Sequence, residues 1–399
     1  MEFGSHNLKS VLPSATIAMS QKARQMIANG QDVILLSQGE PDFDTPEHIR
    51  EAAKAAIDQG HTRYTNVDGI IELKRAIIEK FKRDNQLNYD IDEINISPGG
   101  KAVLFNALIA TLNPGDEVII PTPCWVSYPE MVRLCGGTPK LVHARQSDGF
   151  LPSLADIEKA ISARTKWIIL NSPSNPTGAI MSEGFLAKLA EILRRNPNLL
   201  VLTDDIYEQL IYEGEFMTLA QVAPDLKDRI LTMNGVSKAY AMTGWRIGYA
   251  GGPKWLIAAM KKVMSQTTSN PSSISMWASV AALGGPQDFL ADWRQQFLKR
   301  RNLVVDALSQ SQNIICRRPE GAFYVFGNCQ ALLGKKSKKG RTLASDMDFT
   351  DAVLEEAKVA LVPGTAFHAP GHFRLSFALD LISLKQACDR IAQFCEQCR

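Results

Sequence analysis

Short, uninterrupted apolar runs recur through the middle of the chain: Asp116–Pro121 (DEVIIP), Lys166–Asn171 (KWIILN), Leu199–Asp204 (LLVLTD), Arg229–Asn234 (RILTMN) and Arg246–Gly251 (RIGYAG). They are continuous rather than alternating, which predicts strands covered on both faces of a parallel sheet. Helical patterns lie between several of them, such as Ser182–Asn196, and the apolar stretch Ala102–Leu112 also reads as a helix. Strand and helix in alternation predict an α/β fold built from βαβ units. Such sheets bind ligands just beyond the carboxyl ends of their strands. The residues at those positions are polar: Asn175, Asp204 and Lys238.

The two ends of the chain have a different texture. Asp292–Ser309 reads as one long helix rich in Arg and Gln, Gly321–Phe326 and Phe373–Phe377 as strands, and the chain from Leu384 as a terminal helix. In a chain of 399 residues, more than one core is expected. Residues 1–47 are assigned to an N-terminal arm and part of a small domain, 48–295 to a large domain, and 296–399 to the C-terminal small domain.

Hydrophobic residues make up 45% of the sequence, charged residues 22%, and the formal net charge is +2. That balance is globular and gives no global attraction to nucleic acid or to an acidic membrane. No apolar run approaches the roughly 18 residues of a membrane helix, and Met1–Ser10 has no apolar signal core, so a cytoplasmic protein is expected. Glu2–His6 reads as a cloning remnant. Cysteines at 124, 135, 316, 329, 388, 395 and 398 follow no disulfide framework and point to a reducing compartment. The CxxC of Cys395 and Cys398 has no second pair to complete a metal site and reads as a frayed helix end. Lys335–Arg341 (KKSKKGR) lacks interleaved aromatics and reads as a solvated loop.

Several residues carry candidate chemistry. Lys238 follows an apolar run and a small-residue turn, where a lysine can form an imine with a cofactor aldehyde. Arg246 is expected to open the next strand, where its guanidinium fits two phosphate oxygens. Asp204 ends LLVLTD; a carboxylate there needs a cationic or hydrogen-bonding partner, and a pyridinium N–H is one. Tyr207 can reach the phenolic oxygen of such a ring, and Asn175 can donate to it; the Asn175–Pro176 bond is a candidate cis peptide. Ser97–Lys101 (SPGGK) opens a helix whose free N–H groups suit phosphate. With Asn95 and Ala102 it is not a Walker A loop, and no GxGxxG follows a strand. Trp125 can stack on a planar cofactor. Arg374 interrupts an apolar strand, a costly place for a cation unless a substrate carboxylate or an internal salt bridge pairs with it. Each of these residues also has an ordinary use as a surface lysine, helix cap, turn or core aromatic.

Together they resemble the fold-type I aminotransferases, specifically the class I aspartate aminotransferase group, over nearly the whole chain. The motifs, in order, are GEPDFD (39–44), Tyr64-Thr65, SPGGK, PCWVSYP (123–129), NSPSNPTG (171–178), DDIY (204–207), SKAYAMTGWRIGY (237–249), GAFYVF (321–326), LVPGTAF (361–367) and FRLSF (373–377). The resemblance implies pyridoxal 5′-phosphate as cofactor. It also implies a large domain with a mostly parallel seven-stranded sheet flanked by helices, beside a smaller α+β domain. Lys238 looks like the Schiff-base lysine and Asp204 like the partner of the pyridine nitrogen. Tyr207 and Asn175 match the residues on the cofactor O3′, Trp125 the stacking ring, and Gly100, Lys101, Ser237 and Arg246 the phosphate cup. Arg374 matches the arginine for the substrate α-carboxylate, and Gly39, Asn175 and Trp125 also match substrate-contacting positions. Lys101 further matches a lysine assigned to a second substrate carboxylate. Tyr64 matches a tyrosine that reaches the phosphate of a neighbouring subunit, which implies a homodimer with shared active sites. Cys124 and Gly235 depart from common choices. Leu12 stands where prephenate-accepting members carry a basic residue, which argues against prephenate.

The expected reaction is ping-pong transfer of the amino group of an L-amino acid, L-aspartate first, to 2-oxoglutarate, with Lys238 as general base and acid. The rival readings are an aminotransferase for aromatic or other amino acids, an elimination or cyclisation enzyme such as a C–S lyase on the same cofactor, and a non-catalytic ligand-binding module. The expected partners are amino acids and 2-oxo acids, with no nucleic acid, membrane or metal.

Overall fold

The computed structural model describes residues 5–399; Met1–Gly4, most of the expected cloning remnant, lie outside the described residues. A two-residue strand comes first, β1 (Ile34–Leu35). The main sheet follows: β2 (Ile94–Ser97), β3 (Glu117–Thr122), β4 (Thr138–His143), β5 (Thr165–Asn171), β6 (Leu200–Asp204), β7 (Ile230–Gly235) and β8 (Gly248–Gly251). These seven strands lie in the order β2-β8-β7-β6-β5-β3-β4. Pairing is parallel from β7 across to β4, and β8 runs antiparallel to both β7 and β2. β2 therefore shares the direction of β3 to β7, and β8 alone opposes it. As a result the carboxyl ends of the other strands and the start of β8 meet at one edge.

The apolar runs lack alternation because both faces of the sheet are covered. Ile119, Ile168, Val201 and Ile230 join one core with Leu73, Leu189 and Met276 from helices Ile71–Asn85, Glu183–Arg195 and Ser273–Gly284. Their neighbours Val118, Trp167, Leu202 and Leu231 join the opposite core with Leu104 and Met260 from helices Gly100–Thr111 and Lys254–Ser265. Successive strand residues face opposite sides, so a doubly covered strand must be apolar at every position.

The later strands are β9 (Ile315–Cys316), β10 (Tyr324–Asn328), β11 (Val359–Ala360), β12 (Val362–Pro363) and β13 (His372–Ser376). Four of them form an antiparallel sheet ordered β12-β13-β10-β9, while β11 pairs in parallel with β1. The two chain ends thus share a core, in which Ile34 and Leu36 pack with Val304, Phe323, Phe373 and Leu384. The long helix spans Phe289–Leu308 and the last one Leu381–Glu396. The last helix starts earlier than expected because the Asp380 carboxylate accepts the Ser383 N–H at 2.9 Å.

Two expectations need correction. The strand expected over Arg246–Gly251 begins at Gly248, because Arg246 has φ 58°, a left-handed backbone that a pleated strand does not accommodate. The CxxC is not frayed: Cys395 and Cys398 are buried, and Lys336 and Arg399 exchange backbone hydrogen bonds of 2.7 and 3.0 Å. KKSKKGR is the solvated loop expected, with Lys336, Lys338, Lys339 and Gly340 exposed, though that pairing, the buried Ser337 and the reach of Arg341 to Asp351 and Glu355 tether it. All seven cysteines are free thiols.

A buried ion pair braces the turn after β6. The Lys80 ammonium meets the Glu208 carboxylate, whose second oxygen accepts from the Asn85 amide at 2.8 Å. Removing one partner of such a pair strands the other charge. Glu208→Leu is expected to lower unfolding free energy by about 3 kcal/mol, read by urea denaturation; a loss below about 1 kcal/mol would show that Lys80 is readily resolvated.

Candidate active site

The common strand edge opens into a cavity of about 410 Å³. Gly39, Gly100, Lys101, Trp125, Asn175, Asp204, Tyr207, Ser237, Lys238, Arg246 and Arg374 all line it. Tyr64 does not; the residue is 91% exposed on the surface. Asp204 is the last residue of β6, Lys238 follows β7, and Trp125 follows β3. Asn175 follows β5 in a loop where both Ser172–Pro173 and Asn175–Pro176 are cis.

Lys238 and Asp204 are opposite charges removed from water. The Lys238 ammonium donates to the Gly39 carbonyl at 2.6 Å. Burial lowers its pKa to about 8, helped by the nearby Arg374 and Arg246 cations and resisted by Glu40 and Asp204. Burial pushes the Asp204 carboxyl up to about 6, resisted by hydrogen bonds from the Tyr128 hydroxyl at 2.6 Å and the Ile206 N–H at 3.4 Å. No cationic side chain forms an ion pair with Asp204 among the described residues. A cation placed against it would draw it back to the charged form.

A cradle for an anion is built at the start of helix Gly100–Thr111. Gly99 caps it without a side-chain hydrogen bond, so its first N–H groups and the positive end of its dipole are available. Gly99 has φ +88°, and a Cβ there would overlap the Arg246 guanidinium. Arg246 reaches this cradle because β8 runs against its neighbours, which brings the residue before that strand to the same edge as the residues after the others. It donates to the Thr243 carbonyl at 2.8 Å. The Lys101 ammonium lies 4.8 Å from the centre of the Trp125 ring; burial, then the Arg246 cation, lowers its pKa.

Arg374, on β13, is 2% exposed and has no carboxylate partner among the described residues. It donates to Asn175 Oδ1 at 2.9 Å and to the Ser37 carbonyl at 2.8 Å, while its Nε has no partner. Its guanidinium lies 4.5 Å from the Tyr324 ring centre and 5.0 Å from that of Phe367. The internal salt bridge weighed for Arg374 is therefore absent among the described residues, and a ligand carboxylate has open donors to meet.

Sequence reasoning missed several members of this shell. Tyr128 was visible in PCWVSYP, three residues past Trp125, and Tyr324 in GAFYVF, but only the fold shows that they meet Asp204 and Tyr207. The Asn171 side chain joins two strand-end residues, donating to the Asp204 carbonyl and accepting the Asn175 N–H.

The sequence profile described as "Aminotransferase class I and II" matches residues 31–391. A protein of Rhizobium leguminosarum bv. phaseoli named "Probable aspartate/prephenate aminotransferase" is 53% identical, with 100% of both chains covered. One of Cereibacter sphaeroides named "Aspartate/prephenate aminotransferase" is 54% identical, with 99% of each chain covered. Among solved structures, the aspartate aminotransferase of Rhizobium meliloti superposes with a TM-score of 0.97 at 50% identity and 100% coverage of both chains. The chain belongs to the class I and II aminotransferase family, whose members of this kind use pyridoxal phosphate. The residues present fit that cofactor: a cradle for its phosphate, a buried carboxylate without a cation for its ring nitrogen, and an amine of lowered pKa for its aldehyde.

The Lys238 environment has a direct consequence. Below its pKa of about 8 the amine is protonated and unreactive; above it the free base is the nucleophile. In the cofactor-free protein, labelling of Lys238 by an amine-selective reagent, followed by peptide mass spectrometry, is expected to rise with a midpoint near pH 8. A midpoint at the ordinary lysine value would mean that the cavity is fully hydrated.

Proposed function

We propose that this class I and II aminotransferase moves the amino group of a dicarboxylic L-amino acid, L-aspartate first, to 2-oxoglutarate, with Lys238 as the residue that joins the cofactor. Bound in the cavity, pyridoxal phosphate supplies an aldehyde that condenses with amines and a cationic ring that draws electrons from the substrate α-carbon. The chain's own residues do the rest. Ser237, Arg246 and the N–H groups at Gly100 and Lys101 hold the phosphate. Asp204 holds a proton on the ring nitrogen, and Tyr128 holds Asp204. Tyr207 and Asn175 donate to the phenolic oxygen, and Trp125 covers the ring.

Arg374 takes the substrate α-carboxylate, beside Gly39, on the donors that no protein group uses. The observation that carries this reading is that unpaired buried guanidinium, in the same cavity as an amine of pKa about 8. An amine with that pKa is partly free base at neutral pH, so Lys238 both accepts a proton at Nζ and returns it. Lys101, at the ring of Trp125, supplies a second cation for a side-chain carboxylate. The amino acid and the 2-oxo acid then use the same groups in turn.

We further read the enzyme as a cytoplasmic homodimer, arranged as a large unit over residues 48–295 and a small one from the two ends. Free thiols throughout and the absence, among the described residues, of a helix long and apolar enough to cross a membrane support the location. The exposed phenol of Tyr64, free to enter a neighbour's cavity, supports the dimer. Leu12 is 68% exposed and brings no charge, so prephenate is expected to be a poorer acceptor than 2-oxoglutarate.

A panel of amino donors against 2-oxoglutarate tests the proposal. Aspartate is expected to give the highest kcat/KM. Lys101→Gln is expected to reduce kcat/KM for aspartate by about 10- to 100-fold, equivalent to about 1.4–2.7 kcal/mol, while alanine and phenylalanine change by less than about threefold. A uniform loss across all donors would remove Lys101 from substrate recognition. Lys238→Ala is expected to abolish turnover; near-native turnover would refute its role.

A further inference from the structure

The Tyr324 side chain touches two parts of the site that the proposed mechanism treats separately. Its hydroxyl lies 2.8 Å from the Tyr207 hydroxyl. Its ring lies 4.5 Å from the Arg374 guanidinium, which Phe367 covers at 5.0 Å. The residue is 1% exposed, sits on β10 directly opposite Ser376 of the strand that carries Arg374, and lines the cavity. Gly39 passes so close that a Cβ there would overlap the Tyr324 hydroxyl. The hydroxyl is thus confined among Gly39, Tyr207 and the cavity.

We propose that Tyr324 is a positioning residue that sets both the direction of the Tyr207 hydroxyl proton and the plane of the Arg374 guanidinium. A hydroxyl carries one proton, so two hydroxyls in contact share one hydrogen bond and leave one proton free. The Arg374 cation over the Tyr324 ring stabilises negative charge on its oxygen, which makes Tyr324 the better donor of the two. Tyr324 then donates to Tyr207, and the Tyr207 proton is left to point into the cavity. Accepting one hydrogen bond also strengthens the one that Tyr207 donates. The ring acts independently of the hydroxyl: with Phe367 it fixes the guanidinium plane and so aims the unpartnered Nε–H.

The inference rests on Tyr207 facing the cofactor's phenolic oxygen, as proposed above, and the test separates the two. A donor to that oxygen stabilises its anionic form, so losing the donor raises the midpoint of the pH titration of the holoenzyme's visible absorbance. Tyr207→Phe is expected to raise this midpoint by about one pH unit, and Tyr324→Phe by about half a unit. The double variant is expected to match Tyr207→Phe alone, because Tyr324 acts on the midpoint only through Tyr207. Maleate, an unreactive dicarboxylate, reads the other arm by calorimetry. Tyr324→Phe keeps the ring and is expected to hold the maleate Kd within about twofold, whereas Tyr324→Leu weakens it about tenfold.

A Tyr324→Phe holoenzyme that titrates like wild type while Tyr207→Phe shifts would overturn the proposal alone, as would additive shifts in the double variant. A Tyr207→Phe holoenzyme that does not shift would overturn the proposal together with its premise. Should Tyr324→Leu fail to fold, Tyr324→Trp, which keeps an aromatic face, is expected to bind maleate more tightly than Tyr324→Met; equal affinity of the two would contradict the role of the ring.

Discussion

A carboxylate held away from water without an ion-pair partner is the constraint on which the site depends. Asp204 is buried at the end of β6, and among the described residues its carboxylate is braced by Tyr128 and a backbone N–H. Ionising such a group alone is costly, and its raised pKa measures that cost. A ring nitrogen whose proton is stabilised there remains cationic. Among the described residues no side chain forms an ion pair with Asp204, and the Lys238 cation offsets its burial only in part, which leaves the position able to accept the proposed ring cation.

The fold makes that arrangement possible by direction. Six strand ends and the start of the reversed β8 converge on one edge, so residues far apart in sequence reach one cavity. The groups that bind opposite charges arrive from different parts of the molecule. The anion cradle and Lys238 belong to the main sheet and its loops, while Arg374 comes from β13, in the core shared by the two chain ends. The three buried charges of the site are held by neutral groups: Gly39 on Lys238, Tyr128 on Asp204, and Ser37, Asn175 and two aromatic rings on Arg374. Neutral partners satisfy hydrogen bonds without cancelling charge, so each ion remains available to a ligand.

Much of this was legible in the sequence. The doubly buried strands announced themselves as continuous apolar runs, and the strand-end rule picked out Asn175, Asp204 and Lys238 before any coordinates. The limits have physical causes. Arg246 reads as the first residue of a strand, because its left-handed backbone leaves no trace in residue type. That it still reaches the common edge follows from the reversal of β8, which composition does not encode. Tyr128 and Tyr324 are ordinary aromatics in their own segments, and their roles come from contacts across 76 and 117 residues of chain. The chain end misled for a similar reason: a pairing between Lys336 and Arg399 turns an apparent fray into buried structure.

The most direct measurement is reduction of the cofactor-loaded enzyme with borohydride, followed by mass-spectrometric mapping of the lysine that becomes permanently pyridoxylated. Modification confined to Lys238 is the predicted result. Modification at Lys101 instead, or at a lysine outside the cavity, would contradict the account, because the amine held by the Gly39 carbonyl, in the same cavity as Asp204, would then not be the one that meets the cofactor.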